Sequence, residues 1–358
     1  MTDLAASRLE SSKVVQPALI DVVRGIPESC YRRSTSRGIL YVARDLVIYA
    51  ALVYALITVD AWWAVPLLWL AAGVSISGIF VIGHDASHNA LFESKRLNAL
   101  VAKVAMLPSA HVESAWDFGH NRVHHGHTVK QGMDFVWHPA TAAEWGEMGR
   151  WARLRHRFEW SWLGAGLYYG RNVWWNKMMR FSTEGKLGGE IARERRVMSL
   201  FLLLGAAAVG FAGWHSHGSV LGIAWMIVKV AVVPWALFTW MIGFVVYVQH
   251  VNQDIRWYPR REWSKFSGQM EGTTNLRIPR VLNFFLHNIF VHVPHHVDMR
   301  IPFYRLPQAM RFIETGFPGV AITKKLRLRD YFSTTLDCKL YDFEAGAWSR
   351  YPTKAEAA

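Results

Sequence analysis

The chain has 358 residues, 52% of them hydrophobic, and its 40 Lys+Arg against 27 Asp+Glu give a net charge of +13. Two cysteines, Cys30 and Cys338, exclude a disulfide framework and any cysteine-held zinc or iron–sulfur centre. The basic excess suits nucleic acid, an anionic membrane surface or acidic partners, and the placement of the charges decides between them.

Residues 1–45 are polar and basic, and Met1 to Val15 has mixed charge with no apolar run, so no cleavable leader is expected. From Leu46 to Val59 the chain is apolar, Asp60 interrupts, and Ala61 to Gly83 is apolar again. These two runs match two crossings of a ~30 Å hydrocarbon core, with Asp60 in the turn. A third apolar run covers 197–214, followed by the polar link His215 to Gly218. The fourth crossing is expected over 230–248, with Ser219 to Val228 lying near the far interface, because a lysine (Lys229) inside the membrane is costly. Pro234 should kink or begin that helix.

Of the 40 Lys+Arg, 39 fall in residues 1–45, in the loop 85–196 or in the tail 251–358, and none in the two short links. By the positive-inside rule both termini and the large loop face the cytosol, around four crossings. The charge therefore reads as membrane topology and not as a nucleic-acid footprint. The loop tryptophans Trp137, Trp145, Trp151, Trp160, Trp162, Trp174 and Trp175 suit either interfacial helices or ordinary packing.

Three of the histidine groups share that cytosolic side. His84 and His88 stand four apart at the end of the second crossing, so a helix puts them on one face. His120 and His124 repeat that spacing, with His125 adjacent and His127 following. His292, His295 and His296 stand at i, i+3 and i+4, and Pro294 between them calls for a helix start or bend. Imidazole is a good iron ligand, and boxes at helical spacing gather several nitrogens around one cavity. No Glu precedes a His by three, so the carboxylate-rich Glu-x-x-His cage is not available and a di-iron site here would be built from histidine.

These boxes resemble those of the membrane fatty-acid desaturases, in the family's order and over roughly residues 20–345. Ile26-Pro27 and Tyr41 to Leu46 are similar to the entry to the first crossing in the Δ12/ω-6 branch, and Tyr247 to His250 to the end of the fourth. Gly272-Thr273, Pro279-Arg280, His287 to Ile289, Ile301 to Tyr304 and Cys338 to Asp342 are similar to that branch's C-terminal region. The second box departs from the plant and cyanobacterial Δ12 pattern, with three residues between His120 and His124 where two are usual. The resemblance implies an all-α integral membrane fold: four transmembrane helices carrying a cytosolic helical cap with a histidine-rich di-iron site, the desaturase domain spanning 46–345 and a tail 346–358. It implies His84, His88, His120, His124, His125, His292, His295 and His296 as iron ligands, His250 as a ninth, and Asp85, His127, Asp134 and His287 as groups that orient the ligands.

The implied reaction is O₂-dependent desaturation of a lipid-linked acyl chain to a cis double bond. An unactivated methylene needs O₂, a metal and two external electrons, while the protein positions one C–C bond beside the irons. Trp116, Phe118 and Trp240 are candidate walls of the acyl tunnel. No haem, flavin or fused cytochrome b5 signature is present, so electrons are expected from ferredoxin or cytochrome b5, attracted to the basic face. Hydroxylation or another oxygenation on the same site is the near alternative and a metal transporter the remote one. A bacterial inner membrane is the expected location.

Overall fold

The computed structural model describes residues 18–353, so the expectations for Met1 to Val15 and for the last five residues of the tail lie outside the described residues. Four helices are long and apolar enough to cross a membrane: Thr35–Thr58, Val65–Ser87, Gly185–His217 and Val220–His250. Three are longer than the apolar run that announces them, because a helix propagates through polar residues once it is nucleated, whereas Val65–Ser87 keeps the 23-residue length of its run and lies four residues further along the chain. The first starts at Thr35, where the Ser34 hydroxyl accepts the Arg37 N–H at 3.4 Å. Its outer surface is apolar and exposed, as lipid-facing surface must be, with Leu40, Val47 and Tyr54 open.

The third long helix adds a charged N-terminal stretch that anchors it to the loop region. There Lys103 bridges Glu190 and Glu194, and Glu194 accepts the Ser114 N–H at 2.8 Å. The helix ends at Gly218, whose φ of +60° suits glycine at a left-handed cap, so His215 to His217 belong to the helix and not to the link.

The fourth long helix corrects the expected boundary. Ser219 to Val228 do not form a separate interfacial segment: a single helix runs from Val220 to His250, with a π-helical turn over Val228–Val232 just before Pro234. That turn accommodates the missing proline donor. Lys229 is fully buried and its ammonium meets Asp60 at 2.5 Å, while Trp69 Nε1–H donates to the Lys229 carbonyl at 2.8 Å. The acid in the first link therefore neutralises the lysine of the fourth helix.

The remaining segments gather at the end of the bundle that carries Ser87, Gly185 and His250. Two of their helices leave apolar stripes uncovered: Trp151, Leu154 and Phe158 on Arg150–Glu159, and Leu328, Phe332 and Leu336 on Leu328–Asp337. The loop tryptophans divide accordingly. Trp137, Trp145 and Trp160 are core, whereas Trp151, Trp162 and Trp175 are exposed as interfacial anchors would be.

Among the described residues the strands form two short pairs. β1 (Thr274–Arg277) runs parallel to β2 (Ile322–Lys325), with Thr274 opposite Ile322. β3 (Leu340–Asp342) pairs antiparallel with β4 (Ala347–Ser349). β1 fixes two parts of the cap: the Thr273 and Thr274 hydroxyls donate to the last carbonyls of the fourth helix, and Asn275 Oδ1 accepts the Val293 N–H at 3.0 Å.

The segment Ala165–Tyr168 lies directly against the fourth helix, and a Cβ at Gly243 would strike the Ala165 carbonyl oxygen. Gly243→Ala is expected to destabilise the protein by about 1–3 kcal/mol, the usual cost of overpacking. Thermal unfolding in detergent reads this as a lowered midpoint, and an unchanged midpoint would contradict the close contact.

Candidate metal centre

The first box closes the second long helix: His84 is in its last turn and His88 caps it. His250 ends the fourth. Two helix C-termini, each with partial negative charge, thus point at one place, which favours a cation there. The third box forms the short helix Val293–Val297, with His292 at its N-cap and Pro294 in its first turn, as the proline requires.

The second box departs from simple helical spacing. Phe118–His124 is π-helical, and the His125 N–H bonds the His120 carbonyl. The wider turn sets His125 edge-on to His120, with Nε2 atoms 3.1 Å apart, and leaves the His124 ring further off. The expected sharing of one face by His120 and His124 is therefore replaced by an i, i+5 pair. A π-bulge of this kind is a recurrent device at functional sites.

The outcome is two adjacent nests of imidazole. Ring nitrogens of His84, His88, His120 and His295 lie within 4.8 Å of one another, and so do those of His124, His250 and His296. His292 joins the second nest, with Nε2 3.3 Å from His250 Nε2 and 3.2 Å from His296 Nε2. His125 stands between the nests, its ring centroid 4.6 Å from His120 and 4.4 Å from His296. All nine histidines that the sequence singled out as donors meet here.

Hydrogen bonds aim the second nest. Nδ1–H of His124 donates to Asp134 at 3.0 Å, that of His250 to the Gly272 carbonyl at 3.0 Å, and that of His296 to Gln269 Oε1 at 2.9 Å. Each ring is thereby held in the tautomer that presents an Nε2 lone pair. Asp134 is itself fixed by the Val129 and Val136 N–H groups. Asp85 accepts the Phe303 N–H at 2.6 Å and stands 3.5 Å from His84 Nδ1. Trp116 stacks on His120 with centroids 4.3 Å apart.

Two expected orienting groups sit elsewhere. His287 bonds Asp45 of the first long helix at 2.6 Å, beside Arg44, whose guanidinium balances that carboxylate, buried in a membrane-type helix, at 2.6 Å. His127 faces Trp263, with centroids 5.9 Å apart. Gln269, Thr128 and the Gly272 carbonyl do that orienting work instead, and no spacing in the chain marks them.

The donor set fits metal. Nδ1 and Nε2 of His295, Nδ1 of His84, Nε2 of His88, Nδ1 of His125 and Nδ1 of His292 are buried without a hydrogen-bond partner. Buried polar atoms without partners are costly, and a bound cation shared among lone pairs relieves that cost. Burial, reinforced by the neighbouring imidazoles, pushes His88, His120, His125, His292, His295 and His296 well below the ordinary histidine range. They are neutral at neutral pH, the form in which imidazole can bind a metal.

An apolar channel leads to the nests. Phe80, Trp116, Val173, Ile242 and Val245 line it, and His84, His120, His250 and His292 border it. Trp116 is the one expected wall residue found there. Phe118 packs edge-on against Phe181, and Trp240 stacks on Phe244. The channel also meets His111, which the boxes did not flag: it is buried, its Nδ1–H donates to the Ser109 carbonyl and its Nε2 accepts the Tyr169 hydroxyl at 2.8 Å. Burial lowers its pKa to about 4.

The fatty acid desaturase profile matches residues 60–323. The chain belongs to the fatty acid desaturase family. It is an oxidoreductase of that family, and its relatives place it near the Δ12/ω-6 branch. It is 28% identical to the sn-1 oleoyl-lipid 12-desaturase of Arthrospira platensis over 80% of this chain and 78% of that protein. To the chloroplastic omega-6 fatty acid desaturase of Arabidopsis thaliana it is 27% identical, over 91% of this chain and 70% of the relative. To a Nostoc sn-1 acyl-lipid omega-3 desaturase (ferredoxin) it is 25% identical, over 82% and 79%.

Two tests follow from the geometry. Asp134→Ala removes the acceptor that holds His124 and is expected to weaken metal binding about 10–100-fold, read by competition with a chelator; unaltered affinity would show that Asp134 does not serve the site. The metal-free protein should lose stability on acidification. Its buried imidazoles titrate below the value of about 6.5 that they have in an unfolded chain, so below that pH the unfolded state binds more protons than the folded one. Their contribution is complete above about pH 6.5 and falls as the pH drops from there toward the folded values. Melting temperatures that stay flat from pH 7 to pH 5 would contradict neutral burial.

Proposed function

We propose that the protein introduces a cis double bond at the Δ12/ω-6 position of a lipid-linked fatty acyl chain, with two irons held by His84, His88, His120, His124, His125, His250, His292, His295 and His296. The supporting observation is the apolar channel that ends on two facing imidazole nests. The names of the relatives support the acyl-lipid substrate and the position.

Bound iron would supply the reduction of O₂ that removes two vicinal hydrogens from a methylene pair. The protein's own part is positional. Phe80, Trp116, Ile242 and Val245 offer the chain an apolar, water-poor wall, so one C–C bond rests beside the nests and water is kept from the reacting carbons. Asp134, Gln269 and the Gly272 carbonyl keep the Nδ1 protons of their histidines in place, so the ligand face keeps its charge and direction through turnover. The charge distribution supports a cap and termini on the cytosolic side of an inner membrane, and the ferredoxin-dependent Nostoc relative supports ferredoxin as electron donor over cytochrome b5.

Expression in a host lacking polyunsaturated lipids, followed by gas chromatography of the acyl chains, is expected to show a new cis double bond in 16- or 18-carbon chains. His295→Ala is expected to abolish it. An unchanged lipid profile, with iron loaded and a working donor present, would refute the assignment, and a hydroxylated product would redirect it to the sister chemistry.

A further inference from the structure

The desaturation read above requires electrons from outside, and one face of the cap is built to receive them. The stretch Arg256–Lys265 carries Arg256, Arg260, Arg261 and Lys265 against a single carboxylate, Glu262, and Lys130 adds a cation beside it. Glu262 is bound by Arg256 at 2.9 Å and more loosely by Arg261 at 3.6 Å, yet the Arg261 side chain stays 85% exposed, and Arg260 and Lys265 are open to solvent. Isolated surface charges are common, but here they ring an aromatic side chain. Trp263 is half-buried, the Lys130 ammonium lies 4.5 Å from its ring centroid, and His127 packs beside it.

Trp263 is also the surface group with a short bonded route inward. Its Nε1–H donates to the Thr128 carbonyl at 2.8 Å, and the Thr128 hydroxyl lies 3.3 Å from Nδ1 of His296. Thr128 thus joins the indole to a metal-nest imidazole through one residue and two polar contacts. No large exposed apolar side chain falls within Arg256–Lys265; the open Trp151, Phe158, Phe332 and Leu336 stripes lie on other segments. This face therefore meets water and not lipid.

We propose that the face formed by His127, Lys130 and Arg256–Lys265 is the docking surface for an acidic one-electron carrier of the ferredoxin kind, with Trp263 at its centre. The proposal rests on the desaturase reading. Two reduced carriers each give up one electron. The acyl methylene pair gives two electrons and two protons as its C=C bond forms. With two protons from solvent, these four electrons and four protons reduce O₂ to two waters. Opposite charge at this patch accelerates encounter and sets orientation, and salt weakens both.

The test uses the full chain in lipid nanodiscs, with an oxidised [2Fe–2S] ferredoxin as probe and its Kd read by biolayer interferometry at low and high salt. Wild type is expected to bind at low salt and weaken steeply with added salt. Lys130→Glu with Lys265→Glu is expected to raise the low-salt Kd at least tenfold and flatten the salt dependence. Arg261→Glu, a change at a side chain facing solvent, should shift Kd in the same direction. Lys95→Glu, on an exposed helix start outside this patch, should stay within twofold of wild type. Wild-type affinity in the Lys130/Lys265 variant, equal weakening by Lys95→Glu, or no binding by wild type would each overturn the docking face. Binding needs no turnover, so these outcomes are independent of the lipid profile that tests desaturation.

Discussion

The structure depends on one electrostatic constraint: nine imidazoles are held together in a largely buried cluster, and several of their nitrogens have no partner in the protein. Neutral imidazole tolerates burial only when its lone pair and its N–H are both engaged. Hydrogen bonds engage one side of His124, His250 and His296, and the remaining lone pairs converge. That convergence explains why the second and fourth long helices end where they do, with C-terminal dipoles aimed inward, and why a short strand is needed in a helical protein. β1, with Thr273 just before it, ties the end of the fourth helix to the third histidine box through side-chain hydrogen bonds.

A second constraint comes from the lipid-facing part of the molecule, where charges require compensation. Two ion pairs meet it at opposite ends of the bundle. Lys229 reaches Asp60, and Asp45 is shared by Arg44 and His287. Each joins segments distant in sequence, so each also fixes the relative depth of neighbouring helices. The partner of His287 gives that histidine a reason to exist apart from the metal site. Its backbone φ of +49° turns the chain sharply after the helix Arg280–Leu286 and brings its ring back to Asp45.

Much of this was legible in the chain. The four apolar runs and the eight histidines of the three boxes could be read from period, charge and spacing, because those patterns are local, whereas His250 was marked only by the family resemblance. What remained hidden was set by contacts across the fold. The π-helical turn that pairs His120 with His125 leaves no mark in spacing, since the same residues in an α-helix would pair His120 with His124. Lys229 argued for a boundary only because its partner, Asp60, was read as a turn residue. Gln269 and His111 are single residues outside the boxes, and Thr128, which directly follows the second box, carries no mark of its own; only folding shows their places at the centre or its channel. Trp116 and Phe118 looked equivalent as wall residues, yet one stacks on His120 and the other packs on Phe181.

The central claim is that the two nests are a metal site, and elemental analysis of the purified protein, combined with X-ray absorption at the iron edge, tests it most directly. The account predicts two iron ions per chain in a nitrogen-dominated coordination shell that is lost on chelation. Protein that is folded and loaded under iron-replete conditions but contains no iron, or iron bound chiefly through sulfur, would contradict it.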